Sequence, residues 1–481
     1  MAESRYITTT LPYVNADPHI GFAFEIVTAD ALARYWRLMG DRVFFNTGSD
    51  EHGQKIFEKA KEAGQDPQAY VDHYAGEFVK LKESLSLSYD RFIRTTDPAH
   101  IAAAQEIWRR CAAAGDIYKK EFSGLYCVGD EMFLRESDLV DGKCPNHPNM
   151  TPIELTEENY FFRLSKYQDY LLAYLADESA VVPEWRRQEA INFVKGGLED
   201  FSISREKARL SWGIPVPDDD TQVMYVWFDA LTNYISTLGW PADAEGAFAA
   251  FWQDGVPLQL AGKDQVRFQS VMWQAMLRSA GVAPTKQVVY HGFITSGGQK
   301  MSKSLGNVIS PSDLVARYGT EATRYLLLRH VMPFEDTDIT WERLDEWYTA
   351  GLVNGLGNLV ARVMNLSQLH IEEPIPDLGS LAELDPEFCA LIDGYRLSDA
   401  LDLLWQVVAK ADEHMTATQP FRLVKSVDEA EVLQGKQAIA MGVVMLAKVA
   451  AHLAPFMPAT SAAIWAAIRD NTKPENLFPR L

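Results

Sequence analysis

Residues 5–14, Arg-Tyr-Ile-Thr-Thr-Thr-Leu-Pro-Tyr-Val, are dense in β-branched and aromatic side chains and predict a strand. A turn follows at Asn15-Ala16-Asp17-Pro18. Apolar Ile20, Phe24, Val27, Ala31 and Tyr35 then recur at helical spacing and predict a helix from about His19 to Met39, stopped by Gly40-Asp41. Arg42-Val43-Phe44-Phe45-Asn46-Thr47 predicts a second strand. This β-α-β order implies a parallel sheet with a right-handed crossover, in which ligands gather at the carboxyl ends of the strands. Pro18-His19-Ile20-Gly21 and Gly48-Ser49-Asp50-Glu51-His52-Gly53 fall at those ends.

Residues 66–115 pattern as helix. From about Tyr118 to Tyr160 the texture changes to short strands, turns and Cys/His pairs, which marks an insertion. Helical spacing returns over Tyr167–Leu175. The strand–helix rhythm resumes at Val223–Phe228 and Leu258–Ala261, and a last strand is expected at Val288–Phe293. From about Trp347 onward the chain reads as amphipathic helices, broken near Pro374–Gly379 and at Pro420.

Composition narrows the class. A chain of 481 residues with 47% apolar residues has room for two to four packed domains. There is no low-complexity tract or internal repeat. The first residues lack the apolar core of a signal peptide, and no run of about 18 apolar residues predicts a membrane span. Four cysteines are too few for a disulfide scaffold, so a reducing cytoplasm is expected. The net charge of −21 excludes a general nucleic-acid-coating role. Any nucleic acid must be held by local basic faces.

Two short motifs carry the chemistry. His19 at a helix N-terminus can donate to a phosphate, helped by the helix dipole. Gly21 removes a side chain where a purine would press close. Far downstream, Lys300-Met301-Ser302-Lys303-Ser304 follows the Gly-rich Ser296-Gly297-Gly298, a loop that can close two ammonium groups and two hydroxyls over a pyrophosphate. Each motif alone also suits a cap or a surface turn. Their order and separation resemble the two ATP-handling signatures of class I aminoacyl-tRNA synthetases.

The resemblance narrows further. Thr10-Leu11-Pro12-Tyr13-Val14-Asn15, Asp50-Glu51-His52-Gly53, Glu158–Leu164, Ser202-Ile203-Ser204-Arg205 leading to Trp212-Gly213-Ile214-Pro215, Tyr225–Ala230, Gly262-Lys263-Asp264 and the Lys300–Ser304 loop are similar to the methionyl-tRNA synthetase family, in one order over residues 5 to about 425. The resemblance implies an α/β fold: a Rossmann-like parallel-sheet catalytic domain with a knuckle-bearing insertion, then an all-α helix-bundle anticodon-binding domain. The expected divisions are 1–115 and 222–292 for the two catalytic halves, and 116–221 for the insertion, its knuckle at 127–147. A stem-contact region is expected at 293–346 and the anticodon domain at 347–481.

It also implies an activity: ATP-dependent activation of L-methionine to methionyl-adenylate, then transfer to the 3′ end of tRNA(Met), with Mg²⁺ on the phosphates. His19, Gly21, Glu25, Gly262, Asp264, Lys300, Ser302 and Lys303 would handle ATP, with His19, Lys300 and Lys303 stabilising charge in the reaction. Leu11, Tyr13, Trp227, Tyr234 and Gln269 would line the methionine pocket, where a polarizable thioether packs well against aromatic rings. Asp50 would pair with the substrate ammonium.

The chain departs from the family pattern at four places. The second histidine of the first motif is Phe22, which cannot donate to a phosphate; one such donor is typically worth on the order of 2–4 kcal/mol. A family histidine near the methionine pocket is Gln269. The insertion carries Cys127-x-x-Asp130 and Cys144-x-x-His147, where one cysteine of a family zinc knuckle is replaced by Asp130; this set can still ligate one structural Zn²⁺. In the anticodon region Asn358 and Arg362 match the family pair that reads CAU, while Pro420-Phe421 stands where a tryptophan follows proline. Residues 347–481 hold 10 Lys+Arg against 16 Asp+Glu, so reading must come from one local face.

Two other readings stay open: a class I ligase for another amino acid, and a non-catalytic tRNA-binding paralogue. The aromatic pocket and the absence of a large editing insertion favour methionine. Intact Asp50, Asp264 and Lys303 favour an enzyme. The short run beyond the helical region leads to the expectation of a monomer.

Overall fold

The computed structural model describes residues 2–128, 132–134, 136–145, 149–243, 245–301, 308–372, 375, 378 and 383–481. The chain divides into two compact units: Met1–Pro18, Gly40–Lys80 and Tyr89–His291 form the first, and His19–Met39, Leu81–Ser88 and Gly292–Leu481 the second.

The first unit is built on a six-stranded sheet. In chain order its strands are β1 (Ser4–Thr8), β2 (Arg42–Ser49), β3 (Arg91–Arg94), β4 (Val181–Val182), β5 (Val256–Gly262) and β6 (Gln287–His291), in the spatial order β3-β2-β1-β5-β6-β4. Every pairing is parallel, with Ile7 against Phe45 on one side and Leu258 on the other. Chain order reverses across β1, so the switch point where such sheets bind ligands lies at the carboxyl ends of β1, β2 and β5. Tyr6, Ile7, Phe45, Leu258 and Val288 are buried, as expected of strands covered on both faces.

The expected strand over 5–14 ends at Thr8, with one further bond from the Thr9 N–H to the Asn46 carbonyl (3.3 Å). The chain nevertheless stays beside β2: Tyr13 and Asp50 form an isolated parallel bridge, Asp50 N–H donates to the Pro12 carbonyl (3.0 Å) and Val14 N–H to the Asp50 carbonyl (3.2 Å). The expected helix over 66–115 is two helices, Pro67–Ser84 and Pro98–Ala113, around β3. Arg-Phe-Ile-Arg is too short for its period to stand out from flanking helical spacing. Val223–Phe228 also splits: a strand ends at Met224, and Trp227 and Phe228 lie on the short helix Val226–Ala230.

The insertion is a four-stranded antiparallel sheet of Met132–Leu134, Ile117–Cys127, Ile153–Phe162 and Phe201–Ser202, beside a three-stranded one of Pro215–Val216, Asp219–Met224 and Ser204–Glu206.

In the second unit the first helix, α1 (Ile20–Leu38), starts at the N-cap His19. The helices that follow include α2 (Thr320–His330), α3 (Asn358–His370), α4 (Leu397–Thr418), α5 (Glu429–Leu453) and α6 (Pro458–Arg469). The expected break near Pro420 is real: α4 ends at Gln419 in the left-handed region (φ 43°), and Pro420 opens the next short helix. The break expected near 374–379 falls mostly outside the described residues. By length and hydropathy (1.3) α5 could cross a membrane, but 56% of that window is buried among the protein's own helices, the pattern of a bundle core.

A fully buried ion pair sits in this unit. Arg324 on α2 places a terminal guanidinium nitrogen 2.7 Å from Asp30 Oδ2 on α1, and donates to the carbonyls of Leu85 (3.1 Å), Pro455 (3.3 Å) and Phe456 (2.7 Å). Asp30 also accepts from Arg34 and from the N–H and hydroxyl of Ser88. Burial alone would raise the Asp30 carboxyl; Arg324 and Arg34 outweigh it and hold it below the ordinary carboxylate range.

Candidate functional site

In the first unit the residues expected around an amino acid fall into two groups. Leu11, Tyr13 and Asp50 stand just past the ends of β1 and β2, joined by the Tyr13–Asp50 bridge. Leu11 and Tyr13 are half-buried and Asp50 is buried. Gly48 is required for this approach, since a Cβ there would lie 1.9 Å from the Ile93 carbonyl oxygen of β3. The neighbouring Glu51 is fully buried. Its carboxylate accepts from Ser49 (2.6 Å), from Arg94 (2.6 and 3.0 Å) and from the Thr96 hydroxyl. Trp212 Nε1 donates to the Glu51 carbonyl at 2.6 Å.

The second group is aromatic. Trp227 is stacked on Phe268, with ring centroids 3.9 Å apart and planes 13° from parallel. Gln269, the next residue, is buried and donates from Nε2 to the Tyr234 hydroxyl at 2.8 Å. Tyr234 in turn lies edge-on to Trp273. Phe268 was not singled out in the sequence; its only signal is adjacency to Gln269.

Asp229, two residues after Trp227, also escaped sequence reasoning. It is fully buried, with Oδ2 3.1 Å from His52 Nδ1 and Oδ1 3.5 Å from His100 Nε2. His100 Nδ1 lies 3.0 Å from Ser236 Oγ, and the His52 ring packs against Trp212. Burial pushes the Asp229 carboxyl up, but the two imidazoles outweigh it and the net shift is downward, so the group stays ionised.

The residues expected around the nucleotide divide between the units. In the first, buried Gly262 ends β5 and exposed Asp264 follows on the turn Lys263–Gln265, accepting from Gln265 at 2.8 Å. In the second, His19 caps α1 and its Nδ1 accepts from the Phe22 N–H at 3.3 Å. That leaves the proton on Nε2, the tautomer able to donate outward. A Cβ on Gly21 would lie 3.0 Å from the His19 ring, so this glycine makes room for the imidazole itself. Phe22 and Glu25 are both buried. Lys300 closes the two-residue strand Gln299–Lys300, paired with Ile294–Ser296. Ser302 and Lys303 lie outside the described residues.

In the helical region of the second unit Asn358 is exposed at the start of α3. Arg362, one turn on, is half-buried and holds Asp412 at 2.9 Å. Phe421 is 45% exposed. In the insertion Cys127 and Cys144 are buried; Asp130 and His147 lie outside the described residues. Among the described residues no cluster of three or more His, Cys, Asp or Glu could hold a metal.

Comparison with known proteins follows the same lines. The model of the family "tRNA synthetases class I (M)" matches residues 5–150 and 147–364. The Methionine--tRNA ligase of Thermotoga maritima is 39% identical over 98% of this chain and 76% of its own length. That of Mycobacterium tuberculosis is 39% identical over 95% and 91%. The crystal structure of M. tuberculosis methionyl-tRNA synthetase bound by methionyl-adenylate superposes with a TM-score of 0.90 at 36% identity, covering 100% of this chain and 99% of that one. Its apo form superposes at 0.84 and 33%.

Proposed function

We infer, for a chain that belongs to the class I (M) tRNA synthetase family, that it is a methionine–tRNA ligase. One observation carries the reading: the buried carboxylate of Asp50 just past the end of β2, the Trp227–Phe268 stack and the Gln269–Tyr234 hydrogen bond belong to one compact unit. A carboxylate for an ammonium and an aromatic wall for an apolar side chain suit methionine.

In this reading the methionine carboxylate attacks the α-phosphate of ATP in line and pyrophosphate leaves. A ribose hydroxyl of the terminal adenosine of tRNA(Met) then attacks the methionyl-adenylate carbonyl and AMP leaves. No protein nucleophile is required. Asp50 holds the ammonium; Leu11, Tyr13, Trp227, Tyr234 and Gln269 hold the side chain. His19 donates from Nε2 to phosphate, Lys300, Lys303 and Ser302 stabilise the departing pyrophosphate, Gly21 and Glu25 face the nucleotide, and Gly262 and Asp264 hold its ribose. Mg²⁺ enters with ATP and neutralises phosphate charge. Phe22 is buried, and its phenyl ring supplies no donor where the family pattern has its second histidine.

Asn358, Arg362 and Phe421 would read the anticodon, which requires Arg362 to exchange Asp412 for a base. Two buried thiols, Cys127 and Cys144, suit a closed structural zinc site completed by Asp130 and His147; the metal would hold the knuckle and take no part in the reaction. The divisions 1–115, 116–221, 222–292, 293–346 and 347–481, a monomer, and a cytoplasmic location with no membrane partner complete the proposal.

Amino-acid-dependent ATP–pyrophosphate exchange across all twenty amino acids is the test. Exchange with methionine alone is expected. Exchange with another amino acid, or with none from folded protein, overturns the reading in favour of a different class I ligase or a tRNA-binding paralogue.

A further inference from the structure

The methionine pocket proposed above is assembled from two segments far apart in sequence. Leu11, Tyr13 and Asp50 are held together by the β1–β2 bridge. Trp227, Phe268, Gln269 and Tyr234 are held together by a ring stack and a side-chain hydrogen bond. Neither set of contacts fixes the distance from the ammonium-binding carboxylate to the aromatic wall. That distance decides whether an amino acid of methionine's length fits.

Asp229 spans the gap. One oxygen meets His52, two residues after Asp50; the residue itself is two positions after Trp227. Its other oxygen faces His100, whose second ring nitrogen meets Ser236, two residues after Tyr234. The hydrogen bond from this buried carboxylate to His52 therefore ties the Asp50 loop to the Trp227 helix, and His100, 3.5 Å from its other oxygen, lies between it and the Tyr234 helix. Burying a charge is costly unless it is paired and hydrogen-bonded, and a packed apolar side chain would serve mere stability as well. A carboxylate between two imidazoles instead fixes direction as well as distance. Trp212 closes the far side, its ring on His52 and its N–H on the Glu51 carbonyl, so the Asp50 loop can shift only if these contacts shift with it.

We propose that Asp229, acting through His52, is a positioning residue for methionine recognition: it sets the spacing between Asp50 and the Trp227–Phe268 stack and touches no substrate itself. This rests on the ligase reading, and it makes a separable claim. Loosening the tether degrades methionine binding selectively, because the nucleotide residues assigned to this unit, Gly262 and Asp264, are on β5 and its following turn.

The experiment is steady-state pyrophosphate exchange on the full chain, varying methionine and ATP separately, for wild type, Asp229→Ala, Asp229→Asn, His52→Ala and the Asp229→Ala/His52→Ala double variant. Asp229→Ala and His52→Ala are expected to raise KM for methionine about tenfold or more with KM for ATP within about twofold, since misplacement by about 1 Å costs up to about a hundredfold. The double variant is expected to be no worse than the weaker single, as for one shared contact. Asp229→Asn keeps an acceptor for His52 and should recover most of the loss; if the alanine variants fail to fold, His52→Phe, which keeps a ring and removes the contact to Asp229, carries the test with the same expected rise in KM for methionine. KM for methionine within twofold of wild type in folded Asp229→Ala or His52→Ala, or equal rises in both KM values there, overturns the proposal. Loss in Asp229→Asn as deep as in Asp229→Ala also overturns it. Wild-type protein without methionine-dependent exchange overturns the ligase reading itself; an active wild type with indifferent variants overturns only this one.

Discussion

The first unit's proposed amino-acid pocket and the second unit's proposed anticodon-reading face use polar residues in opposite ways. Around that pocket, Asp50, Glu51, His52, Asp229 and Gln269 are all buried, Glu51 is held by Ser49 and Arg94, His52 by Asp229, and Gln269 bonds Tyr234, so the proposed ligand groups are held before a ligand arrives. On the helical face Asn358 and Phe421 are exposed, and Arg362 is occupied by Asp412. There the buried charge is elsewhere, in the Arg324–Asp30 pair, and serves the frame. A small ligand distinguished by a few atoms rewards preorganisation. A flexible RNA loop that must be released rewards exposed groups on a stiff support. The net charge of −21 sharpens the contrast, since affinity for RNA cannot come from general attraction.

The largest expected effect tests the frame. Arg324→Met leaves Asp30 buried without its main partner, and breaking such a pair typically costs about 3–5 kcal/mol. Chemical denaturation should show that loss, and Asp30→Asn added to Arg324→Met should restore much of it. A single variant as stable as wild type would mean the pair contributes nothing to the second unit. Next is the pocket itself. Asp50→Asn removes the charge proposed to face the substrate ammonium and should lower kcat/KM for methionine by about 2–4 kcal/mol of binding, roughly thirty- to a thousandfold, without changing the melting temperature by more than a few degrees. If stability falls instead of activity, the pocket and the frame are not the separate designs argued here.

How far each region shows in the sequence follows from the same contrast. The pocket's direct candidates were legible because they sit in short runs of fixed spacing: Asp50 in Asp-Glu-His-Gly, Trp227 in Tyr-Val-Trp-Phe-Asp-Ala. What ties the runs together was not. His52 and Asp229 are 177 residues apart, and no local pattern signals that a carboxylate in one run meets an imidazole in the other. The Arg324–Asp30 pair was hidden for the same reason: each residue reads as the polar face of an amphipathic helix. Among the strands, β1 and β2 were visible by composition. β3 was missed because four residues give too few periods, and the end of β1 was misplaced because Tyr13 keeps a strand-like bridge to Asp50 well beyond Thr8, where the ladder ends.

A smaller effect probes the exposed face. Phe421→Ala removes a ring available for base stacking, typically worth about 1–3 kcal/mol per base. It should raise KM for tRNA while leaving methionine-dependent pyrophosphate exchange unchanged. Phe421→Trp should lower KM for tRNA, because a larger ring offers more stacking area. Equal loss in exchange and in tRNA charging for Phe421→Ala would dissolve the distinction between the two regions.

The smallest effect is a pH dependence confined to the second unit. His330 at the end of α2 stacks face to face on Trp347, with centroids 4.4 Å apart and planes 3° from parallel. Burial, reinforced by the Arg329 guanidinium, holds the imidazole down to about 3, against about 6.5 in an unfolded chain. Between those values the unfolded state binds a proton that the folded state does not, so stability rises with pH in that window. The contribution is fully present above about pH 6.5 and is lost as pH falls towards 3; from pH 7 to pH 5 it amounts to at most about 2 kcal/mol. His330→Phe keeps a ring over Trp347 and removes the titration. Urea midpoints measured from pH 7 to pH 5 should fall less steeply for the variant than for wild type, with the two converging toward neutral pH. Parallel slopes would show that the imidazole accepts its proton without leaving Trp347. The rigid support of the helical face would then tolerate a charge that its packing argues against.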